Sequence, residues 1–271
     1  MGECTGAAIT ATAAVDVRTD SATVADFERR LSAALERRAA VGETVRFWWR
    51  DDDATRSGPR LQRLLQATRG SPLALAVIPK LASQSLAEAV AAEPRISVFQ
   101  HGWAHVNHAP RGRGLGAWEL DAYRQPSEVL AQTAEGQSKL ERLFGQSFTP
   151  VMVPPWNRIH DPLLPGLADQ GFIGLSAMGI ERACIPTPGL KRIDCRFDVL
   201  RWKRGAGFAG WSKAAGCLEK ALAEGDGIVG INTHHAVTDE EGWRFIDRLN
   251  RFVQEHPGAT WAQPRTLFAA L

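Results

Sequence analysis

The sequence lacks most of what would mark a secreted, membrane-spanning or nucleic-acid-binding chain. Its four cysteines, Cys4, Cys184, Cys195 and Cys217, are scattered without a C-x-x-C pair. That speaks against a zinc knuckle and a disulfide framework, and it suits a reducing compartment. No stretch reaches the roughly 18 continuous apolar residues that a membrane helix needs. The net charge is only +2 over 271 residues, too weak a field to argue for nucleic acid or an anionic membrane surface. The first segment, MGECTGAAITATAAVDVRTDS, is rich in small residues but has neither the basic start nor the leucine-rich core of a secretory signal. Gly6 stands where a myristoylation site wants Ser or Thr. There is no internal repeat and no low-complexity tract. These absences lead us to expect a cytoplasmic protein with no nucleic-acid and no membrane partner, whose true partners have to be read from its sites.

What is present is an alternation. SATVADFERRLSAALERRAA places Val24, Phe27, Leu31 and Leu35 on one helical stripe behind a candidate N-cap, Ser21. TVRFWWR follows, with the β-branched and aromatic residues of a strand. Continuous apolar runs recur at 73–79, 96–100, 150–155, 172–177 and 227–233, separated by helical patterns at 59–69, 81–92, 127–144, 161–170, 211–224 and 239–255. Short strands without polar alternation are what a parallel sheet covered on both faces requires, so the fold class is α/β. β-α units repeated over about 250 residues fit a barrel as well as a doubly wound sheet. Residues 1–22 are expected to be disordered and 23–271 to form one domain. GAGFAG at 205–210 has G-x-G-x-x-G spacing, but no apolar strand leads into it, so it reads as a loop.

The chemically loaded residues stand where the strands end. FWWR runs into Asp51, Asp52 and Asp53; ISVF runs into QHGWAHVNH; PVMV runs into PPWNR; GIVGINT runs into His234 and His235. In an α/β barrel such ends converge on one mouth. His101 and His105 are four apart, which on a helical turn puts both imidazoles on one face, able to chelate a divalent ion. Taken alone, this pair could equally be surface or capping histidines, and RDDD a solvated turn in which Arg50 pairs with an acid and Asp53 caps a helix. Together they form the His, His, Asp set familiar at zinc and similar ions. Three adjacent carboxylates repel one another unless a cation relieves them.

The order of these segments resembles the polysaccharide deacetylase family, the chitooligosaccharide-deacetylase homology domain of metal-dependent carbohydrate esterases. The resemblance runs from about residue 44 to 261 and implies a deformed (β/α) barrel of about seven parallel strands in a single domain. By that resemblance Asp51 is the catalytic base, Asp52 with His101 and His105 holds the metal, and His234 is the catalytic acid, with Asp198 orienting it. The metal is one divalent ion, zinc first, with cobalt, nickel or manganese as alternatives. The sequence departs from the family pattern at Gly102, where a hydroxyl residue is usual, at Val153, where arginine is usual, and at Arg201, which replaces an acid. Arg158 is the candidate for the missing cation. Trp103, Trp156 and Trp202 lie in or beside the motif segments, where indoles stack on sugar rings, although packing into the core would explain them as well. The activity implied is removal of an acyl group, acetyl first, from a small-molecule or oligosaccharide substrate. Hydrolysis of a cyclic amide or ureide is the alternative within the enzymes, and a non-catalytic carbohydrate-binding barrel the alternative outside them.

Overall fold

The structure, a computed structural model, describes residues 17–112, 114–178, 186–203 and 205–269. Helix α1 (Val17–Ala39) leads into β1 (Val45–Ala54), α2 (Pro59–Ala67), β2 (Leu73–Val77), α3 (Gln84–Ala91) and β3 (Ile96–His101). After a long loop come α4 (Pro126–Phe144), β4 (Phe148–Val153), α5 (Leu164–Asp169), β5 (Gly174–Leu175), β6 (Lys191–Arg192) and β7 (Cys195–Asp198). A small hairpin, β8 (Leu200–Arg201) and β9 (Gly207–Phe208), precedes α6 (Trp211–Glu224), β10 (Ile228–Thr233), α7 (Glu240–Glu255), β11 (Ala259–Trp261) and α8 (Pro264–Phe268). The helix expected from Ser21 thus begins at Val17, and residues 1–16 of the segment expected to be disordered lie outside the described residues. No helix among the described residues is long and apolar enough to cross a membrane.

The strands run in the order β6-β5-β4-β3-β2-β1-β10-β7, every neighbour parallel, and β11 adds to the first residues of β1. The far edge curls back toward the near one. Met178 and Cys195 form a parallel bridge, and the Cys195 N–H donates to the Ala177 carbonyl at 2.9 Å. This makes the deformed (β/α) barrel that the sequence resemblance implied.

Alternation along β1 explains why an apolar run is buried on both faces. Phe47 and Trp49 pack outward into the layer of helices with Phe27, Leu31, Leu61, Leu64 and Phe245. Trp48 points the other way, into a cluster with Ala74, Ala76, Phe99, Val151 and Val153. Helix α8 seals this inner cluster, with the Phe268 ring edge-on to Trp48 (5.9 Å) and Phe99 (5.4 Å). Each buried indole removes roughly 200 Å² from water, about 5 kcal/mol of gross hydrophobic stabilisation. The room for Trp48 depends on Gly230 of β10, where a Cβ would stand 2.7 Å from the indole nitrogen and 2.9 Å from the Cys195 Cα. Because β1 carries both a wall of the core and the acidic strand end, the same alternation decides where each acid points.

Candidate metal centre

Register aligns β1 with β10 so that Arg50 lies beside Asn232 and Asp51 beside Thr233. Arg50 has the parity of Trp48 and points inward, where it is fully buried. All five of its guanidinium donors are used. Nε donates to Asn232 Oδ1 (3.3 Å), Nη1 to Ser176 Oγ (2.9 Å) and the Ala177 carbonyl (3.1 Å), and Nη2 to Asp52 Oδ2 (3.0 Å) and Asn157 Oδ1 (2.9 Å). Nε also stands 2.9 Å from Asp52 Oδ1. Burial alone would raise the Asp52 pKa, but Arg50, then His101 and His234, outweigh it and hold the carboxyl below its usual 3.8.

Alternation would send Asp53 outward again, and the backbone prevents it. The β1–β2 register shifts between Asp51 and Ala54, and Asp53 takes a left-handed φ of 68°. That bulge re-aims its carboxylate toward β3. There Asp53 Oδ1 lies 3.2 Å from His101 Nε2 and 3.3 Å from His105 Nε2. Asp53, His101 and His105 are the group whose ligand atoms converge within 4.8 Å. The ligand set expected with Asp52 is therefore corrected by one residue: Asp52 is turned inward and engaged by Arg50, and Asp53 takes the place beside the histidines.

The histidine pair also forms differently from the expected helical turn. His101 ends β3, and the chain then turns through Gly102 (φ 56°) to His105, which is itself left-handed (φ 57°). The two rings come to 5.2 Å between centroids. His101 Nδ1 lies 2.9 Å from the Val153 carbonyl, its cross-strand neighbour, so Nδ1 carries the proton and Nε2 presents a lone pair. With His101 in this tautomer, Asp53 Oδ1 is buried and meets no hydrogen-bond donor. Lone pairs facing each other at such distances repel, and a cation among them removes the conflict, so the donor set fits a divalent ion. Without a metal ion, protons compete for the site. Burial disfavours a charged His101, but Asp53 and Asp52 outweigh that and raise its pKa above 6.5. His105 moves the other way, lowered by burial and by its neighbour His101.

His234 faces this group from β10. Its Nε2 is 3.8 Å from Asp52 Oδ2 and its Nδ1 3.8 Å from Asp198 Oδ1, ion-pair distances longer than a hydrogen bond. Asp198 is fixed by the Leu200 N–H (2.9 Å) and the Trp202 indole N–H (2.9 Å), and burial raises its pKa against the pull of His234. The Trp202 ring stands edge-on to His234 at 4.7 Å and is half exposed. Trp156 stacks at a tilt on His105 (4.3 Å) and is 37% exposed, on a backbone in which it and Asn157 are both left-handed (φ 54° and 55°). Such conformations cluster at functional sites. Trp103 lies between the two histidines in the chain, and its peptide group donates to Glu119 (3.1 Å) and accepts from the Lys80 N–H (2.9 Å). Arg158 lies apart from this group. Its guanidinium donates to the Leu115 and Ala117 carbonyls and sits 4.5 Å above the Trp118 ring, so it does not supply the expected cation.

Against solved structures the likeness is in shape. A family 4 carbohydrate esterase from Streptomyces lividans, solved with acetate, superimposes with a TM-score of 0.53 at 14% identity, over 84% of this chain and 97% of that one. The Xyl-CE4 domain of a multidomain xylanase from the hindgut metagenome of Trinervitermes trinervoides gives 0.51 at 10% identity, over 83% and 90%. The chain has the carbohydrate esterase family 4 fold. An Enterococcus faecalis protein described provisionally as a cellobiose-phosphate cleavage protein gives 0.58 at 9% identity, over 84% and all of that chain. No protein-family model matches the sequence, and a search of curated proteins finds no significant match.

Within the carbohydrate esterase fold, sequence reasoning missed the buried role of Arg50, which it paired with an acid only in a solvated turn, along with Asn157, Asn232 and Ser176 around it. Its signal was available: a cation inside an apolar strand, on the same parity as Asp52. Asp51 has the opposite parity and faces His235. Its Oδ1 meets His235 Nδ1 at 2.5 Å, and Oδ2 accepts the His235 N–H (2.9 Å) and the Thr233 hydroxyl (2.7 Å). Asp51 is fully buried, and this geometry turns its carboxylate to His235 and Thr233, away from the side of the expected base. Replacing Asp51 with Ala is expected to cost about 3 kcal/mol of unfolding free energy, because it strands a buried partner, with metal binding retained. Urea unfolding and a metal titration on the same sample check both halves. The pH dependence has a definite sign. Burial lowers the His235 pKa, but Asp51 outweighs it and raises it above 6.5. The pair's stabilisation is therefore full below the unfolded-state pKa and is lost as pH rises through the folded one. The stability gap between wild type and His235→Gln should accordingly shrink from about pH 5 to about pH 9.

Proposed function

We propose that this protein is a metal-dependent hydrolase of the polysaccharide deacetylase type, which removes an acyl group, acetyl first, from the nitrogen of an N-acylated sugar or a related small amide. The observation that carries the reading is the buried, donorless Asp53 Oδ1 facing two imidazole Nε2 atoms, next to an arginine-held carboxylate and across from His234. Asp53, His101 and His105 would hold the ion, which when bound supplies a Lewis acid for the acyl carbonyl and for the attacking water. Asp52 accepts the proton of that water. Arg50 keeps it ionised and fixes its orientation, with Oδ1 toward Nε and Oδ2 between Nη2 and His234. His234 delivers a proton to the leaving nitrogen, and Asp198, fixed by Trp202, orients the imidazole. Trp156 and Trp202, partly exposed on two sides of these groups, present flat apolar faces to a sugar ring or an acyl methyl.

Metal analysis of the purified protein, joined to an acetate-release screen over N-acetyl sugars and oligosaccharides, tests this. Stoichiometric divalent metal and acetate release that stops with chelator are expected. A protein that binds no divalent ion would end the reading, and ring opening of a cyclic amide or ureide without acetate release would move the substrate class.

A further inference from the structure

The loop that carries His105 to the metal centre, residues 102–106, has no helix or strand to hold it. Its amides are nonetheless spoken for. Glu119 is 1% exposed, and its carboxylate takes three of them: Oε2 accepts from Trp103 N–H (3.1 Å), and Oε1 from Ala104 N–H (2.8 Å) and Val106 N–H (3.3 Å). Glu119 is itself braced through its carbonyl, which accepts from Arg124, and Arg124 is pinned by Asp121 at 2.8 Å. The fit depends on the residue after His101. A Cβ at Gly102 would stand 2.0 Å from Glu119 Oε2 and 2.6 Å from Pro155 Cγ, and the backbone there is left-handed. The carboxylate thus occupies the volume that the missing side chain leaves, on the turn between the two histidines.

We propose that Glu119 is a positioning residue of the metal centre, holding the 102–106 loop so that His105 Nε2 meets Asp53 beside His101. The proposal rests on the reading of these three residues as metal ligands. A carboxylate is required because it is acceptor-only: three N–H donors converge on two oxygens, and an amide would turn a donor onto at least one of them. The same bonds withdraw the loop's amides from any substrate carbonyl, so Glu119 acts through His105 and touches no reacting atom.

The test is a cobalt(II) titration of the whole protein followed by its visible absorption, with Glu119→Gln and, as a control, Asn250→Ala. Asn250 is a buried polar residue of α7, bonded to Ser71 and Arg69 far along the chain from the site. Glu119→Gln is expected to raise the cobalt dissociation constant about 10- to 100-fold, the usual effect of removing a group that orients a ligand. Asn250→Ala should stay within about twofold while it lowers the melting temperature. A Glu119→Gln protein that binds as tightly as wild type, or an Asn250→Ala protein weakened equally, overturns the proposal. Wild type that binds no cobalt overturns the ligand reading as well, which keeps the two failures distinct. Should Glu119→Gln not fold, hydrogen exchange on wild type decides: the amides of Trp103, Ala104 and Val106 should exchange slowly, and exchange at open-loop rates overturns the assignment.

Discussion

Asp53→Ala is expected to lose divalent metal, while Asp52→Asn keeps it and loses turnover. The two residues are neighbours with the same side chain, so composition and local charge are nearly matched and only geometry separates them. Asp53 Oδ1 is the atom that faces both imidazoles, at 3.2 and 3.3 Å. If Asp53 is the direct ligand proposed, its removal should weaken binding beyond the ~10- to 100-fold that outer groups cost. On the proposed reading Asp52, held by Arg50, is the base, so its amide should lower kcat by about 10²- to 10⁴-fold with metal stoichiometry unchanged. Affinity in wild type should also fall as pH drops, because His101, raised by Asp53 and Asp52, must release its proton to bind. The reverse result, metal lost from Asp52→Asn and kept by Asp53→Ala, would restore the frame one residue earlier.

Arg50 carries the second large effect. Arg50→Met would bury Asp52 without its cation and strand Ser176, Asn157 and Asn232, an expected loss of about 3–5 kcal/mol in unfolding free energy. Arg50→Lys is the more informative variant. A lysine keeps the charge but cannot make the planar fork of bonds, so the protein should fold, bind metal and lose orientation of the base. In Arg50→Lys, where the charge remains, the acid limb of kcat/KM should stay near its wild-type place; in Arg50→Met, where the charge is gone, burial dominates, the Asp52 pKa rises and the limb should move to higher pH than in wild type. An unchanged acid limb with a reduced kcat in Arg50→Met would mean that Asp52 is not the base.

Much of this was legible without coordinates. The alternation of apolar runs and helical stripes determined the α/β class, because a strand buried on both faces has no polar alternation to show. The strand ends marked the mouth. His101, His105, His234 and Asp198 were identified from segment order, and the structure brings all four to one group of residues. Parity along FWWRDDD could have gone further, since period-2 alternation alone sends Asp51 to the side opposite Arg50 and Asp52.

What the sequence by itself determined, then, is the fold class and the inventory of chemistry at the strand ends. Only the tertiary structure decided where each acid points. The left-handed turn at Asp53 overrides the alternation that the rest of β1 obeys, and nothing in three identical residues signals which one will bend. Nor could spacing show that Asn157, Asn232 and Ser176 gather around Arg50 in the interior, or that Arg158 leans on Trp118. Glu119 lies beyond reach for the same reason. Its carboxylate matters through three amides brought to it by a loop, and such long-range closure is a property of the folded chain.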